Sequence, residues 1–222
     1  MATRKASDSN LSGKKYNDAS AGASKIADIP DLPTIASVTN TPSGRAYNNG
    51  RVDVAITAAS TGGVPATYTV TSTPGSITAT GTSPVSVTGL SSATSYTFTA
   101  KGNTAAGTGP ETAASSSVTA TTVPQAPVTV TATKTGQTTA NVTVNAAGAT
   151  GGSAISTYTA VSSPGSITTN SNTTSINVTG LTAATTYTFS VTANNTNGAS
   201  AATTTGSITT DAAPYTLAQT FS

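Results

Sequence analysis

A fifteen-residue phrase is written twice in this chain, as PVSVTGLSSATSYTF at 84–98 and SINVTGLTAATTYTF at 175–189. Gly89, Leu90, Tyr96 and Phe98 align with Gly180, Leu181, Tyr187 and Phe189, each pair 91 residues apart. A shorter phrase, TPGSIT at 73–78, returns as SPGSIT at 163–168. Self-similarity at a fixed period marks tandem units. A period of this length is too long for a solenoid turn and suits one small independent domain. The expected organisation is therefore an arm over 1–32, one domain over 33–123, a second over 124–210, and a remnant over 211–222.

Hydrophobic periodicity says what these domains are made of. Val52, Val54 and Ile56 alternate with polar neighbours, as do Tyr68 and Val70, Val85 and Val87, and then Tyr96, Phe98 and Ala100. The second domain repeats the pattern with Val142 and Val144, Tyr158 and Ala160, Ile176 and Val178, and Tyr187, Phe189 and Val191. Period-2 alternation in short runs bounded by Gly, Pro, Asn or Ser predicts strands joined by turns. Pro74-Gly75 and Pro164-Gly165 suit the central positions of type II turns, where proline pre-sets φ and glycine supplies a positive one. Strands recurring about every 8–12 residues predict a two-sheet sandwich, with Tyr96, Phe98, Tyr187 and Phe189 between the sheets. The predicted fold is all-β: an extended N-terminal arm followed by two tandem seven-stranded sandwiches.

Composition closes off much of the chemistry. Only 7% of residues are charged, and there is no histidine or cysteine. The commonest general base and the thiol nucleophile are missing, as are disulfides and zinc-type ligand sets. From residue 33 onward the acids are Asp53, Glu111 and Asp211, one to each distant region, so no carboxylate pair or calcium loop is expected. Gly62-Gly63 and Gly151-Gly152 lack the Lys-Ser/Thr of a phosphate loop and read as turns between the second and third strands. No enzyme, cofactor or metal is expected. A net charge of +2 gives no reason to expect nucleic acid. No apolar run reaches the roughly 18–20 residues of a membrane span. Sugar binding by ring platforms is poorly served, because six of the ten aromatics are assigned to the interiors. The sequons at Asn141, Asn172 and Asn177 read as accidents of an Asn/Thr-rich composition.

Residues 1–31 differ from the rest. They hold nine of the sixteen charged side chains and show no strand or helix period. Such a segment is a solubilising tail or an arm that orders when it docks. The expectation here is an anchor arm, with Arg4, Lys5, Lys14, Lys15, Tyr16 and Lys25 as its contact residues. The N-terminus is basic but has no apolar signal-peptide region, which predicts synthesis in the cytoplasm. At the other end, Ala213-Pro214 precedes YTLAQTF much as Leu32-Pro33 and Ala126-Pro127 precede the two domains. A third domain is expected to begin there.

The phrase VTGL-x-x-x-T-x-Y-T-F, followed by a small-residue strand and an Asn/Gly loop, resembles the region around the fifth and sixth strands of fibronectin type III domains. That resemblance implies Leu90 and Leu181 as core leucines. It also implies Tyr96 and Tyr187 as tyrosine corners, each hydroxyl bonded to backbone just upstream. The chain departs from the family in having no tryptophan, and its GNTAAGTGPE and ANNTNGAS loops lack the integrin-binding tripeptide. The whole is similar to the fibronectin-III or immunoglobulin-like appendage proteins of tailed bacteriophages, marine and cyanobacterial ones in particular. This implies a fibre or head decoration of the virion, bound to other capsid or tail proteins through residues 1–31. It further implies many copies on the particle, homo-oligomers among the possibilities, and weak contacts with host surface glycans. The rival readings are a bacterial adhesin or spacer, and a carbohydrate-binding module of a polysaccharide-active protein.

Overall fold

The computed structural model describes residues 28–214, and all regular structure among them is strand. The expected anchor residues Arg4, Lys5, Lys14, Lys15, Tyr16 and Lys25 lie outside the described residues, as does the expected third-domain strand from Tyr215.

The first sandwich runs through Thr34–Asn40 (β1), Gly50–Thr57 (β2), Thr67–Thr73 (β3), Thr78–Gly81 (β4), Val85–Leu90 (β5), Thr94–Thr104 (β6), Gly107–Thr108 (β7) and Val118–Ala120 (β8). One sheet has the order β1-β2-β5; the other has β4-β3-β6-β7, with β8 also paired to β6. The second follows as Thr129–Lys134 (β9), Thr139–Asn145 (β10), Thr157–Ser163 (β11), Thr168–Ser171 (β12), Ser175–Thr179 (β13), Thr186–Asn195 (β14), Gly198–Ala199 (β15), Thr203–Thr204 (β16) and Ile208–Thr209 (β17). Its sheets are β13-β10-β9 and β12-β11-β14-β15, with β16 and β17 returning to β14. Each sandwich thus has seven strand positions, the last one broken into short pieces. The chain divides into two compact units, and the division passes through the first sandwich. Asp53–Val87 and Tyr96–Ser117 belong to one unit; Asn40–Val52 and Thr88–Ser95 belong to the other, with Val118 onward.

Strict alternation places one face of each strand inward. On β14 the buried residues are Tyr187, Phe189, Val191, Ala193 and, at the end of the row, Asn195. The first four join Ala140, Val142 and Val144 of β10, Ile176 and Val178 of β13, and Leu181 in one hydrophobic cluster. On β2 and β6 the corresponding buried residues are Val52, Val54, Ile56, Tyr96, Phe98 and Ala100. The Tyr187 and Phe189 rings lie 6.2 Å apart, and those of Tyr96 and Phe98 6.3 Å. Each fully buried Val, Leu or Phe contributes roughly 1.5–3 kcal/mol.

The broken last strand has a chemical rationale. Where it leaves the sheet, the N–H groups of the central strand would lose their carbonyl partners. Serine and threonine hydroxyls take that place. Thr205 donates its own N–H to the Phe189 carbonyl and accepts the Phe189 N–H on its hydroxyl. The same exchange joins Thr112 to Ala100, Ser115 to Phe98, Ser200 to Ala193, and Thr210 to Thr185. A β-ladder needs one donor and one acceptor per residue, and these side chains supply the acceptor without a regular strand.

The two Pro-Gly turns carry the expected positive φ at glycine, and the chain stays left-handed for one residue more. Gly75 and Gly165 have φ of 84° and 85°, and the following Ser76 and Ser166 are at 48° and 50°. The peptides before Pro74 and Pro164 are cis. Each loop is wider than a four-residue turn because buried Ser72 and Ser162 close it. Their N–H groups reach the Ile77 and Ile167 carbonyls at 2.9 Å, while their hydroxyls accept the Ile77 and Ile167 N–H groups at 3.0 and 2.9 Å.

Candidate functional site

The acids are dispersed. Glu111 accepts from the Thr99 hydroxyl at 2.7 Å and lies 3.5 Å from Lys101; first that hydroxyl and then the Lys101 charge hold its carboxyl below the usual range. Asp53 accepts from Ser86, Asp31 from Thr61, and Asp211 from Lys134. Among the described residues no three groups of the His, Cys, Asp or Glu type come together. No helix among them is long and apolar enough to cross a membrane.

The most elaborately built polar feature is the loop end of the second sandwich. It starts from two glycines. Gly151 has φ 74°, and a Cβ there would overlap the Thr122 and Val123 carbonyl oxygens. A Cβ on Gly152 would lie 2.8 Å from Thr121 Cγ2. Only glycine lets the connecting segment approach this closely. Thr122, wholly buried, donates its N–H to the Gly151 carbonyl at 2.8 Å. Its carbonyl accepts two amide donors, Asn195 Nδ2 and Asn197 Nδ2, both at 2.9 Å. Asn195 also donates to the Thr150 carbonyl at 2.8 Å, and its Oδ1 accepts the Asn197 N–H at 2.8 Å. The polar end of the inward row on β14 is thus satisfied, in keeping with the cost of leaving a buried polar group unpaired.

The first sandwich has the same arrangement in a plainer form, with 28–31 as the segment received. Pro30 forms a bridge with Gly62, and the Ile29 carbonyl accepts the Gly63 N–H at 3.2 Å. A Cβ on Gly63 would overlap the Asp28 carbonyl. Thr104 stands at the position of Asn195, 91 residues earlier. Its hydroxyl donates to the Asp28 carbonyl at 3.1 Å and accepts the Ala106 N–H at 3.3 Å. One hydroxyl here serves where an amide serves in the second sandwich. Along the side of the first sandwich, an open trough of about 410 Å³ separates Leu32–Ile35 from Thr112–Ser116. At the matching seam of the second sandwich the Thr203 hydroxyl donates to the Pro127 carbonyl at 2.7 Å.

Leu90, Tyr96, Phe98, Leu181, Tyr187 and Phe189 are all buried. The Tyr187 hydroxyl accepts the Thr182 N–H at 2.9 Å, five residues upstream, and that donation holds its pKa below the usual tyrosine value. These residues form the interiors.

The geometry can be set beside known proteins. Residues 125–209 match the family model of the fibronectin type III domain. The second sandwich is thus fibronectin type III-like, and the first repeats its strand order in the same all-β, antiparallel architecture. Among solved structures, the titin kinase with its flanking domains shares 24% identity over 40% of this chain, at a TM-score of 0.36. The chain spans 17% of that protein's length. A two-domain fibronectin type III segment of chicken tenascin shares 13% identity over 78% of this chain and 98% of its own, with a TM-score of 0.38. Domains A168–A170 of titin share 14% over 83% of this chain and 67% of theirs, with a TM-score of 0.44. No curated protein matches the chain.

Sequence reasoning overlooked Thr122, Asn195 and Asn197. A signal was available: the row YTFSVTANN at 187–195 ends its inward phase on an asparagine, Asn195, where alternation calls for an apolar side chain. The loop of nine residues between β1 and β2, against four between β9 and β10, was a second signal.

Proposed function

We propose that this chain is a non-enzymatic structural appendage of a tailed-phage virion, a fibre or head decoration in which the arm fastens to capsid or tail proteins and the fibronectin type III-like modules project outward. The observation that carries this reading is the seating of Asp28–Asp31 on the glycine turn of the first sandwich. The root of the arm is bonded to the body, so a load on the arm passes into folded structure. Weak contacts with host surface glycans belong to the same proposal. The groups available for them are hydroxyl and amide rows such as Thr69, Thr80 and Asn103, whose side chains bond to one another across strands. Many copies on one particle would raise avidity without any single strong site.

The test is lysine-directed cross-linking on particles purified from the source culture. Links from Lys5, Lys14, Lys15 or Lys25 to another particle protein are the expected result. A chain missing from the particles, or one whose arm lysines link only within itself, would refute the proposal.

A further inference from the structure

The segment Thr121–Gln125 is composed like a linker, yet its backbone donors are all engaged. Thr121 donates to Asn40 Oδ1, Thr122 to the Gly151 carbonyl, Val123 to the Arg45 carbonyl and Gln125 to the Ala149 carbonyl, at 2.8–3.3 Å. The remaining residue, Pro124, has no N–H and a fixed φ. A swivelling connection would leave these groups to water and would open at little cost. These residues and their partners all belong to the same compact unit.

One side of this arrangement comes from the loop 41–49. It is five residues longer than its counterpart between β9 and β10, and hydrogen bonds hold it in shape. Arg45 Nε donates to the Asn49 carbonyl, and its Nη2 to Asn49 Oδ1, both at 2.9 Å. Asn49 Oδ1 also accepts the Gly89 N–H, and Asn48 exchanges two bonds with Ser92. The braced loop then extends two backbone groups. Its Gly44 N–H meets the Asn197 carbonyl at 2.9 Å, and its Arg45 carbonyl takes the Val123 N–H at 3.0 Å. Asn197 therefore bonds both the loop and the linker.

We infer that loop 41–49 and the Asn195–Asn197 turn form a stiff coupling that clamps Thr121–Gln125, making this segment a fixed joint rather than a hinge within its own compact unit. The inference stands apart from the virion reading, since it concerns mechanics and not what the chain is attached to. It also accounts for the unequal loop lengths, because loop 41–49 has Asn197 and Val123 to meet.

The chain has no cysteine, so spin labels at Thr88→Cys and Thr168→Cys, both exposed positions of the compact unit that holds the junction, report on it. Double electron–electron resonance on the full chain should give one narrow distance distribution. Asn195→Ala, Asn197→Ala, and replacement of 41–49 by the four residues TGQT should each broaden it at least twofold. Asn197 sits in a partly exposed turn, so its variant decides the matter if Asn195→Ala or the loop replacement fails to fold by circular dichroism. A wild-type distribution as broad as that of Asn197→Ala overturns the inference.

Discussion

The Thr205 hydroxyl lies 3.0 Å from the Phe189 amide nitrogen, and the Thr205 N–H reaches the Phe189 carbonyl at 2.9 Å. One threonine thus satisfies both backbone groups of the most deeply buried aromatic in the second sandwich. Thr205→Val keeps the shape and removes the acceptor, stranding the Phe189 N–H away from water. The expected loss is about 1–3 kcal/mol by urea denaturation. Thr205→Ser should retain most of the stability, because the hydroxyl remains.

Gly151→Ala should be costly. Its φ of 74° disfavours any side chain, and the new Cβ would collide with two linker carbonyls. A loss of about 2–3 kcal/mol is expected. Gly148, in the same loop, has open space around it and no positive φ. Gly148→Ala should be neutral, or stabilising by up to about 1 kcal/mol through the unfolded chain. Paired thermal melts of the two variants test the contrast.

Tyr187→Phe removes the acceptor of the Thr182 N–H while keeping the ring in place. Thr182 is exposed, so water can replace part of what is lost. The expected cost is about 0.5–1.5 kcal/mol, with unchanged far-ultraviolet circular dichroism.

Glu111 gives a pH signature. Its folded-state pKa is depressed, first by the Thr99 hydroxyl and then by Lys101. The folded state therefore releases this proton more readily than the unfolded state does. The stability it contributes is fully present above the unfolded value of about 4.3 and is lost as pH falls through the lower folded value. Comparing wild type with Glu111→Gln in melts from neutral to strongly acid pH, the difference should stay constant above that window and shrink within it. A difference that persists unchanged at the acid end would contradict the assignment.

The all-β class, the tandem period and the inward rows were legible in the chain. Alternation is a local property, and Val52, Val54, Ile56, Tyr187, Phe189 and Val191 announce their faces without any partner strand. The absence of histidine and cysteine likewise excludes chemistries wherever the residues fall. The turns after Thr73 and Ser163 were only half legible. Proline and glycine show that the chain reverses, but the width of the loop was decided by Ser72 and Ser162 and their reach to Ile77 and Ile167.

What the tertiary structure alone decided is where the hydroxyls and amides act. In sequence, Thr112, Ser115, Ser200, Thr205 and Thr210 look like any other small polar residues of a Thr-rich chain. Folding makes them the acceptors of the central strands. Thr122 and Asn195 are 73 residues apart. Nothing local couples them, because a long-range hydrogen bond depends on the path of the backbone between its partners. The repeated phrase wrote the sandwich into the chain twice, but only folding brought one asparagine to the Thr122 carbonyl.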